Sequence, residues 1–373
     1  MKTVYTRSTL LTGTHYEAGY RLGTQYAAIP QLKSHFTAGY PGFGTEEWEK
    51  AAALFSQWCP GLNEELQGVA DALQTRPQNL VYYAMTWLRP GCSHISLLPS
   101  MTKDGHPKVA RNYEFNDAFE DFNVIKTSIQ GAYTHIGTSV LGLGRDDGFN
   151  EMGLAVTMSS TTFPVGVDGN MRRPAVTGLQ FWAVIRTLLD TCRDVAECLE
   201  RLKDMPIAFN MNLILTDKAG NAALYETLDG RKAFRAINPE SDAQYLYATN
   251  HPLLEELIPH EPQVLENSLK RCGNIKAFLQ QHGEGLDTEE LKQFLLTPYP
   301  AGLSCPYYDD FFGTTKSMVI DPAAGTMELC WGGQEGNGWQ HYSLEGDFTE
   351  GVRAVKLCSQ PAPPSLFQLA DNK

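Results

Sequence analysis

Cys92, Arg111 and Glu114 stand close together in the chain and supply the parts of a nucleophilic site. A thiolate attacks carbonyl carbon, a guanidinium beside a thiol favours the thiolate, and a carboxylate can hold an arginine or an amine in place. The stretch that carries them, residues 91 to 115, is β-rich and begins Gly-Cys-Ser. Asp104-Gly105 predicts a two-residue hairpin turn, because such a loop needs positive φ and glycine adopts it without steric cost. Pairing across that turn returns Arg111 and Glu114 towards Cys92.

Other motifs follow in a set order. After Gly-Cys-Ser come Ala-Arg-Asn-Tyr-Glu-Phe (110 to 115), Phe-Asn-Glu-Met-Gly-Leu-Ala-Val (149 to 156), Ala-Thr-Asn-His (248 to 251) and Ser-Leu-Lys-Arg (268 to 271). Each is weak alone. In this register they resemble the cysteine branch of the N-terminal-nucleophile (Ntn) hydrolases, specifically the acyl-coenzyme A:6-aminopenicillanic acid acyltransferase family, with choloylglycine hydrolases and penicillin V acylases as cousins.

The resemblance implies a self-processing cysteine amidohydrolase that cleaves linear amides through an acyl-thioester on Cys92. Scission of the Gly91-Cys92 bond would make Cys92 a new N-terminus, whose α-amine, with an ordinary pKa of about 7.7 to 8.0, serves as its own general base. Gly91 suits the cut because it lacks a Cβ and leaves the carbonyl open to approach. By resemblance Arg111 and Glu114 flank the nucleophile, Glu114 being one methylene longer than the family's aspartate. Asn250 matches the oxyanion asparagine, and Arg271 the later arginine that steadies the cluster. Where the bile-salt hydrolase cousins carry a further asparagine, this chain has Ser160. An acyltransferase fed by acyl-coenzyme A, or a ligand-binding relative without catalysis, stays open.

Plainer readings exist for each residue. Asn250 before His251-Pro252 could end a strand, Asn150 could shape a turn after Asp147-Gly148, Arg111 and Glu114 could form a surface ion pair, and Arg271 could face solvent. A cysteine with a histidine base would draw on His94, His106, His135 or His251.

The elements that must position these residues divide at Cys92. Apolar spacing over 15 to 35, a helix capped at Thr45 and another after Pro60 make the first ninety residues largely helical. The resemblance implies that 1 to 91 form a pro-segment, retained as a small subunit after cleavage, ahead of a catalytic domain over 92 to 373. Strands are predicted at 107 to 115, 123 to 130, 136 to 143, 153 to 160, 211 to 217, 221 to 227, 232 to 237, 244 to 249, 315 to 321 and 326 to 331. Helices fall at 177 to 190, 192 to 203, 263 to 282 and 288 to 296. Hairpins in runs with helices in pairs give an α+β class. The resemblance implies a four-layer αββα sandwich of two antiparallel sheets covered by helices.

Composition excludes several classes. The formal charge is −13 with no Lys/Arg run, which argues against nucleic acid or an anionic membrane as partner and for a small-molecule substrate, which the resemblance implies is an acyl amide or acyl-coenzyme A. No apolar stretch suits a signal h-region or a membrane span, so a cytoplasmic location is expected. The eight cysteines form no Cys-x-x-Cys pair or zinc-spaced cluster, so most are expected to be reduced and buried, and neither metal nor cofactor is called for. A homo-oligomer is left open.

Overall fold

In the computed structural model, which describes every residue except 40–42, 81–90, 141, 163–171, 284 and 373, the period change after Cys92 becomes a pair of sheets. The described chain opens with strand β1 (Lys2–Gly13) and helices α1 (His15–Ala27), α2 (Pro30–Thr37), α3 (Thr45–Trp58) and α4 (Leu62–Leu73). Then come β2 (Cys92–Leu97), β3 (Lys108–Phe115), β4 (Asn123–Ile129), β5 (His135–Val140), β6 (Leu143–Asn150), β7 (Leu154–Ser160), α5 (Phe181–Thr191) and α6 (Val195–Asp204). The strands β8 (Met211–Asp217), β9 (Ala222–Leu228), β10 (Arg231–Ile237), β11 (Tyr245–Ala248) and β12 (Gln263–Leu265) lead into α7 (Glu266–His282) and α8 (Thr288–Leu296). The chain closes with β13 (Pro306–Tyr307), β14 (Phe312–Asp321), β15 (Thr326–Trp331), β16 (Gln340–Ser343), β17 (Gly351–Leu357) and β18 (Leu369–Asp371).

One sheet runs β10-β9-β8-β7-β6-β5-β4-β1-β17 and the other β11-β2-β3-β14-β15-β16, with β13 beside β14 and a separate β12-β18 ribbon. Side chains alternate across each strand. Val109, Met318 and Ile320 meet Val124, Ile136 and Phe149 between the sheets. Their neighbours Ile95, Ala110 and Val319 point outward onto Ile275 and Leu279 of α7 and Leu291 and Leu295 of α8. Behind the nine-stranded sheet, Ile125, Val156 and Leu213 pack under Ile185 and Leu188 of α5 and Leu22 and Val69 of α1 and α4. The result is the expected four-layer αββα sandwich. Helices α1 and α4 approach closely because a Cβ on Gly19 would lie 1.9 Å from the Glu65 carbonyl oxygen.

Two expectations are corrected, and a third is incomplete. The expected helices of the first ninety residues are there, but an unexpected strand, β1, precedes them; its run of Thr, Val and Tyr suits a strand but hardly alternates, which hides it from period counting. Strand β1 pairs parallel to β4 and antiparallel to β17, so the larger sheet is not wholly antiparallel. Asp104-Gly105 is not a two-residue hairpin loop, since residues 98–107 all lie between β2 and β3. The turn chemistry is nonetheless there: Gly105 has φ +71°, and the Asp104 side chain accepts the His106 N–H at 3.1 Å. Residues 81–90 of the expected pro-segment lie outside the described residues. No helix among those described is long and apolar enough to cross a membrane.

The placement of β1 makes a prediction for any chain cut between Gly91 and Cys92. Both ladder partners of β1 belong to the larger fragment, and α1 and α4 share its core. The two pieces are therefore expected to co-elute in native size-exclusion chromatography and to separate only in denaturant; separation in native buffer would contradict this.

Candidate active site

Strands β2 and β3 set Cys92 opposite Tyr113 and His94 opposite Arg111. Alternation turns Cys92, Arg111 and Tyr113 towards the facing sheet and Ser93 and Glu114 towards α7 and β14. Arg111 and Glu114 thus serve the two faces of β3. They are not a surface pair: both are buried and neither contacts the other as an ion pair.

The Arg111 Nη2 lies 4.0 Å from the Cys92 Sγ. Its Nη1 donates to Asp147 Oδ2 at 2.6 Å and to the Asp146 carbonyl at 2.7 Å. Asp146 also pairs with Lys316 at 2.9 Å, and Lys316 lies 3.7 Å from Glu120, all of them buried. Much of the guanidinium charge is therefore answered by carboxylate. Burial pushes the Cys92 thiol up to about 11; Arg111 opposes this and Glu114 adds to it. Arg111 thus favours the thiolate as expected, but in the continuous chain desolvation outweighs it.

The backbone of Cys92 is held from the other side. Strand β11 ends at Ala248, paired with His94, so the chain leaves the sheet next to Cys92 and delivers Asn250 there. Asn250 Oδ1 accepts the Cys92 N–H at 2.8 Å and an Arg271 Nη2 hydrogen at 2.8 Å, while its Nδ2 donates to the Ser160 carbonyl at 3.0 Å and approaches Ser160 Oγ at 3.3 Å. Arg271, on α7, also donates to the Cys92 carbonyl, to Ser93 Oγ at 2.8 Å and to Asn267 Oδ1 at 2.8 Å. Its Nη1 lies 3.8 Å from Glu114. Helical spacing puts Asn267 and Arg271 on one face. Arg271 does not face solvent, and Asn250 does more than end a strand.

Glu114 accepts from Thr314 Oγ1 at 2.9 Å, and its backbone N–H donates to the Gly91 carbonyl at 2.7 Å. Burial raises its carboxyl against the pull of Arg271. At Gly91 there is no room for a side chain: a Cβ would fall 2.4 Å from the Phe312 ring and 2.6 Å from Glu114 Cβ. Gly91→Ala is expected to destabilise the fold by about 1–3 kcal/mol, as overpacking does, measured by thermal melting; an unchanged melting temperature would contradict the contact.

Gly91, Cys92, Tyr113, Glu114, Met158, Ser160 and Phe181 line a recess of about 10 Å³, about the space of one water. The aromatic stretches 307 to 312 and 331 to 342 do not line it, although Phe312 backs Gly91. The histidines serve elsewhere. His94 contacts Thr157 and Ser159, His251 contacts Ser268, His106 pairs with Asp321 and His135 with Asp190. Burial holds His94 well below its ordinary pKa and His251 at about 4. Asn150 shapes its turn as expected, its Oδ1 accepting the Met152 and Leu154 N–H groups and its Nδ2 donating to Leu189 and Cys192 carbonyls. All eight cysteines are free, and six of them are buried. Asp104, His106 and Asp321 cluster, but the Lys108 ammonium already sits between the two carboxylates.

Sequence reasoning misses Asp146, Asp147, Lys316 and Tyr113. Asp147-Gly148 is expected at a turn, yet it lies inside β6 with Asp147 opposite Thr157. The available signal is charge within otherwise apolar strands, Arg-Asp-Asp at 145 to 147 and a lone lysine at 316.

Residues 100–335, well over half of the chain, match the acyl-coenzyme A:6-aminopenicillanic acid acyl-transferase family. The chain belongs to that family. That family takes its name from an acyl-transferring enzyme. Arg111, Glu114, Asn250 and Arg271 lie inside the matched span, and Cys92 just ahead of it. Among solved structures, a mutant conjugated bile acid hydrolase from Clostridium perfringens is similar, at 14% identity over 71% of this chain and 96% of that one, with a TM-score of 0.46. Penicillin V acylase from Agrobacterium tumefaciens is similar at 17% identity over 64% and 83% (TM-score 0.39), and the Caenorhabditis elegans ortholog of N-acylethanolamine-hydrolyzing acid amidase at 12% over 62% and 93% (TM-score 0.42). Among curated proteins none matches in sequence at a significant level.

Proposed function

We propose that this family member is a self-processing cysteine amidohydrolase that cleaves linear acyl amides through a thioester on Cys92. One observation carries the reading. The Cys92 N–H is held by Asn250 Oδ1 while its Sγ lies beside Arg111, so the two atoms that an N-terminal cysteine needs as base and nucleophile are each already gripped.

In the processing step, Cys92 Sγ adds to the Gly91 carbonyl carbon. The Gly91-Cys92 C–N bond breaks as the nitrogen takes the thiol proton, leaving a thioester. Water then hydrolyses it, giving a Gly91 carboxylate, a free thiol and a free α-amine. Glu114, bonded through its backbone to the Gly91 carbonyl, holds the scissile group. Once free, the amine lies in a buried site and shares Asn250 Oδ1 with the Arg271 guanidinium, and burial and that cation disfavour its protonated form and keep it a base at neutral pH. In turnover the amine takes the thiol proton, sulfur adds to the substrate carbonyl, and the ammonium returns the proton to the departing amine. Water, activated by the same amine, releases the acyl group. Asn250 and Arg271 position the amine, and Arg111 steadies the thiolate.

The family includes acyl transfer in its name, so acceptor choice is part of the test. Purified protein is incubated with N-acyl p-nitroanilides and, separately, with acyl-coenzyme A and amine acceptors. Release of free acid, with an acyl adduct on the Cys92 peptide, supports the hydrolase. New amide from acyl-coenzyme A supports the transferase. Neither product nor adduct marks a protein that only binds.

A further inference from the structure

Tyr113, one of the residues that line the recess at Cys92, carries a hydrogen-bond donor left over. The Tyr113 hydroxyl is buried and has no partner among the described residues. Buried polar groups are paired in the great majority of proteins, so an orphan beside a reactive side chain calls for an explanation. Asn250, the amide expected to serve the oxyanion, already gives its Nδ2 to Ser160. Ser160 in turn stands where the cousins carry a second amide. The site is therefore short of donors where Tyr113 has one to spare.

Tyr113 is set for this by register and by charge. It pairs directly with Cys92 across β2 and β3, and opposed side chains in such a pair are neighbours. Its ring carries the Arg111 guanidinium at 4.8 Å and the Lys316 ammonium at 4.5 Å from the centroid. Two cations on the face draw electron density from the ring and strengthen its O–H as a donor. Burial holds the phenol well above its ordinary pKa, so the proton stays on it. Lys316 thereby has a use beyond pairing with Asp146.

We propose that Tyr113 is a catalytic residue whose hydroxyl donates to the carbonyl oxygen of the acyl group attacked by Cys92, filling the place of an oxyanion-hole amide. As the S–C bond forms, the carbonyl π pair moves onto oxygen, and the phenol O–H answers that charge while keeping its proton. On collapse the pair returns, the C–N bond breaks, and the amine leaves with the proton from the Cys92 ammonium. This inference rests on the proposed thioester chemistry.

Two reagents separate the inference from its premise in the purified protein as it matures, with the Cys92 peptide followed by mass spectrometry. p-Nitrophenyl acetate acylates a thiolate through a tetrahedral oxyanion, whereas iodoacetamide alkylates it by displacement without one. Tyr113→Phe is expected to slow acylation of Cys92 by about 100-fold, the cost of losing one oxyanion donor, and to leave alkylation unchanged. Because the orphan hydroxyl is removed and the ring kept, the melting temperature is expected to hold or rise. Equal acylation rates in wild type and variant would overturn the role of Tyr113, as would acylation and alkylation falling together with the melting temperature, which marks a structural residue. Failure of wild-type Cys92 to react with either reagent would overturn both the nucleophile and the inference built on it.

Discussion

Cys92→Ala is expected to remain one unbroken chain and to lose amide turnover by roughly 10⁶-fold, the scale on which removing a sole nucleophile acts. The proposed chemistry passes through the sulfur twice, once at Gly91 and once at substrate. The nearby hydroxyls are poorly placed to substitute: Ser93 points to the other face and bonds Arg271, and Ser160 is engaged by Asn250. Stability should hardly move, within about 1 kcal/mol, because alanine keeps the buried apolar character of this small residue. Intact mass and a p-nitroanilide assay read the two losses. A variant that still splits, or that keeps more than about a hundredth of wild-type turnover, would show that another residue carries the reaction.

The second large effect is at Arg271. One guanidinium ties the Cys92 carbonyl, Ser93, Asn250 and Asn267 together and sits near Glu114, with no part of the residue exposed. Arg271→Met keeps much of the volume but removes every donor. Asn267 Oδ1 then loses this bond, and Glu114 faces a buried site without its cation. Stranding a buried charge costs about 3–5 kcal/mol, so the melting temperature should fall markedly. Glu114 has a further response: burial already raises its carboxyl, and without Arg271 it rises more, so it takes up a proton. The raised group binds its proton more tightly folded than unfolded. The variant should therefore be relatively more stable at acidic pH, with the advantage disappearing as pH rises through the folded pKa of Glu114. Denaturant titrations from mildly acidic to mildly alkaline pH check this, and a difference from wild type that does not depend on pH would count against a charge role. Turnover should also drop, because the Cys92 backbone loses its clamp.

Part of the inner sheet can be read from the chain through its apolar positions, although its strands are buried on both faces and do not alternate cleanly. Ile95, Ala110 and Val319 declare one face of the inner sheet, and the pairing of β2 with β3 follows from a turn-forming Asp104-Gly105 even though the loop is longer. What escapes is physically intelligible. Strand β1 has polar or exposed residues along most of its length and pairs with segments far away in sequence, so local period carries little of its signal. The strand β6 contains Arg145, Asp146 and Asp147, which read as surface or turn until their partners arrive from β3 and β14. Arg111, Glu114, Asn250 and Arg271 are named from motif order, and the fold brings all four together around Cys92. Their protonation cannot be read that way. A guanidinium next to a thiol favours the thiolate, but the burial of Cys92, which depends on the whole fold, outweighs it.

Burial of the thiol fits the continuous chain as the resting form of the proposed scheme. The thiol lies in a site with space for about one water and with its proton held firmly, so scission at Gly91 is what would release both amine and access. The intact mass of freshly purified wild-type protein, with N-terminal sequencing of the larger species, tests this most directly. Two masses that sum to the chain plus one water, the larger beginning at Cys92, are the expected result. A single full-length mass that persists through prolonged incubation, in protein that nonetheless turns over amides, would contradict it.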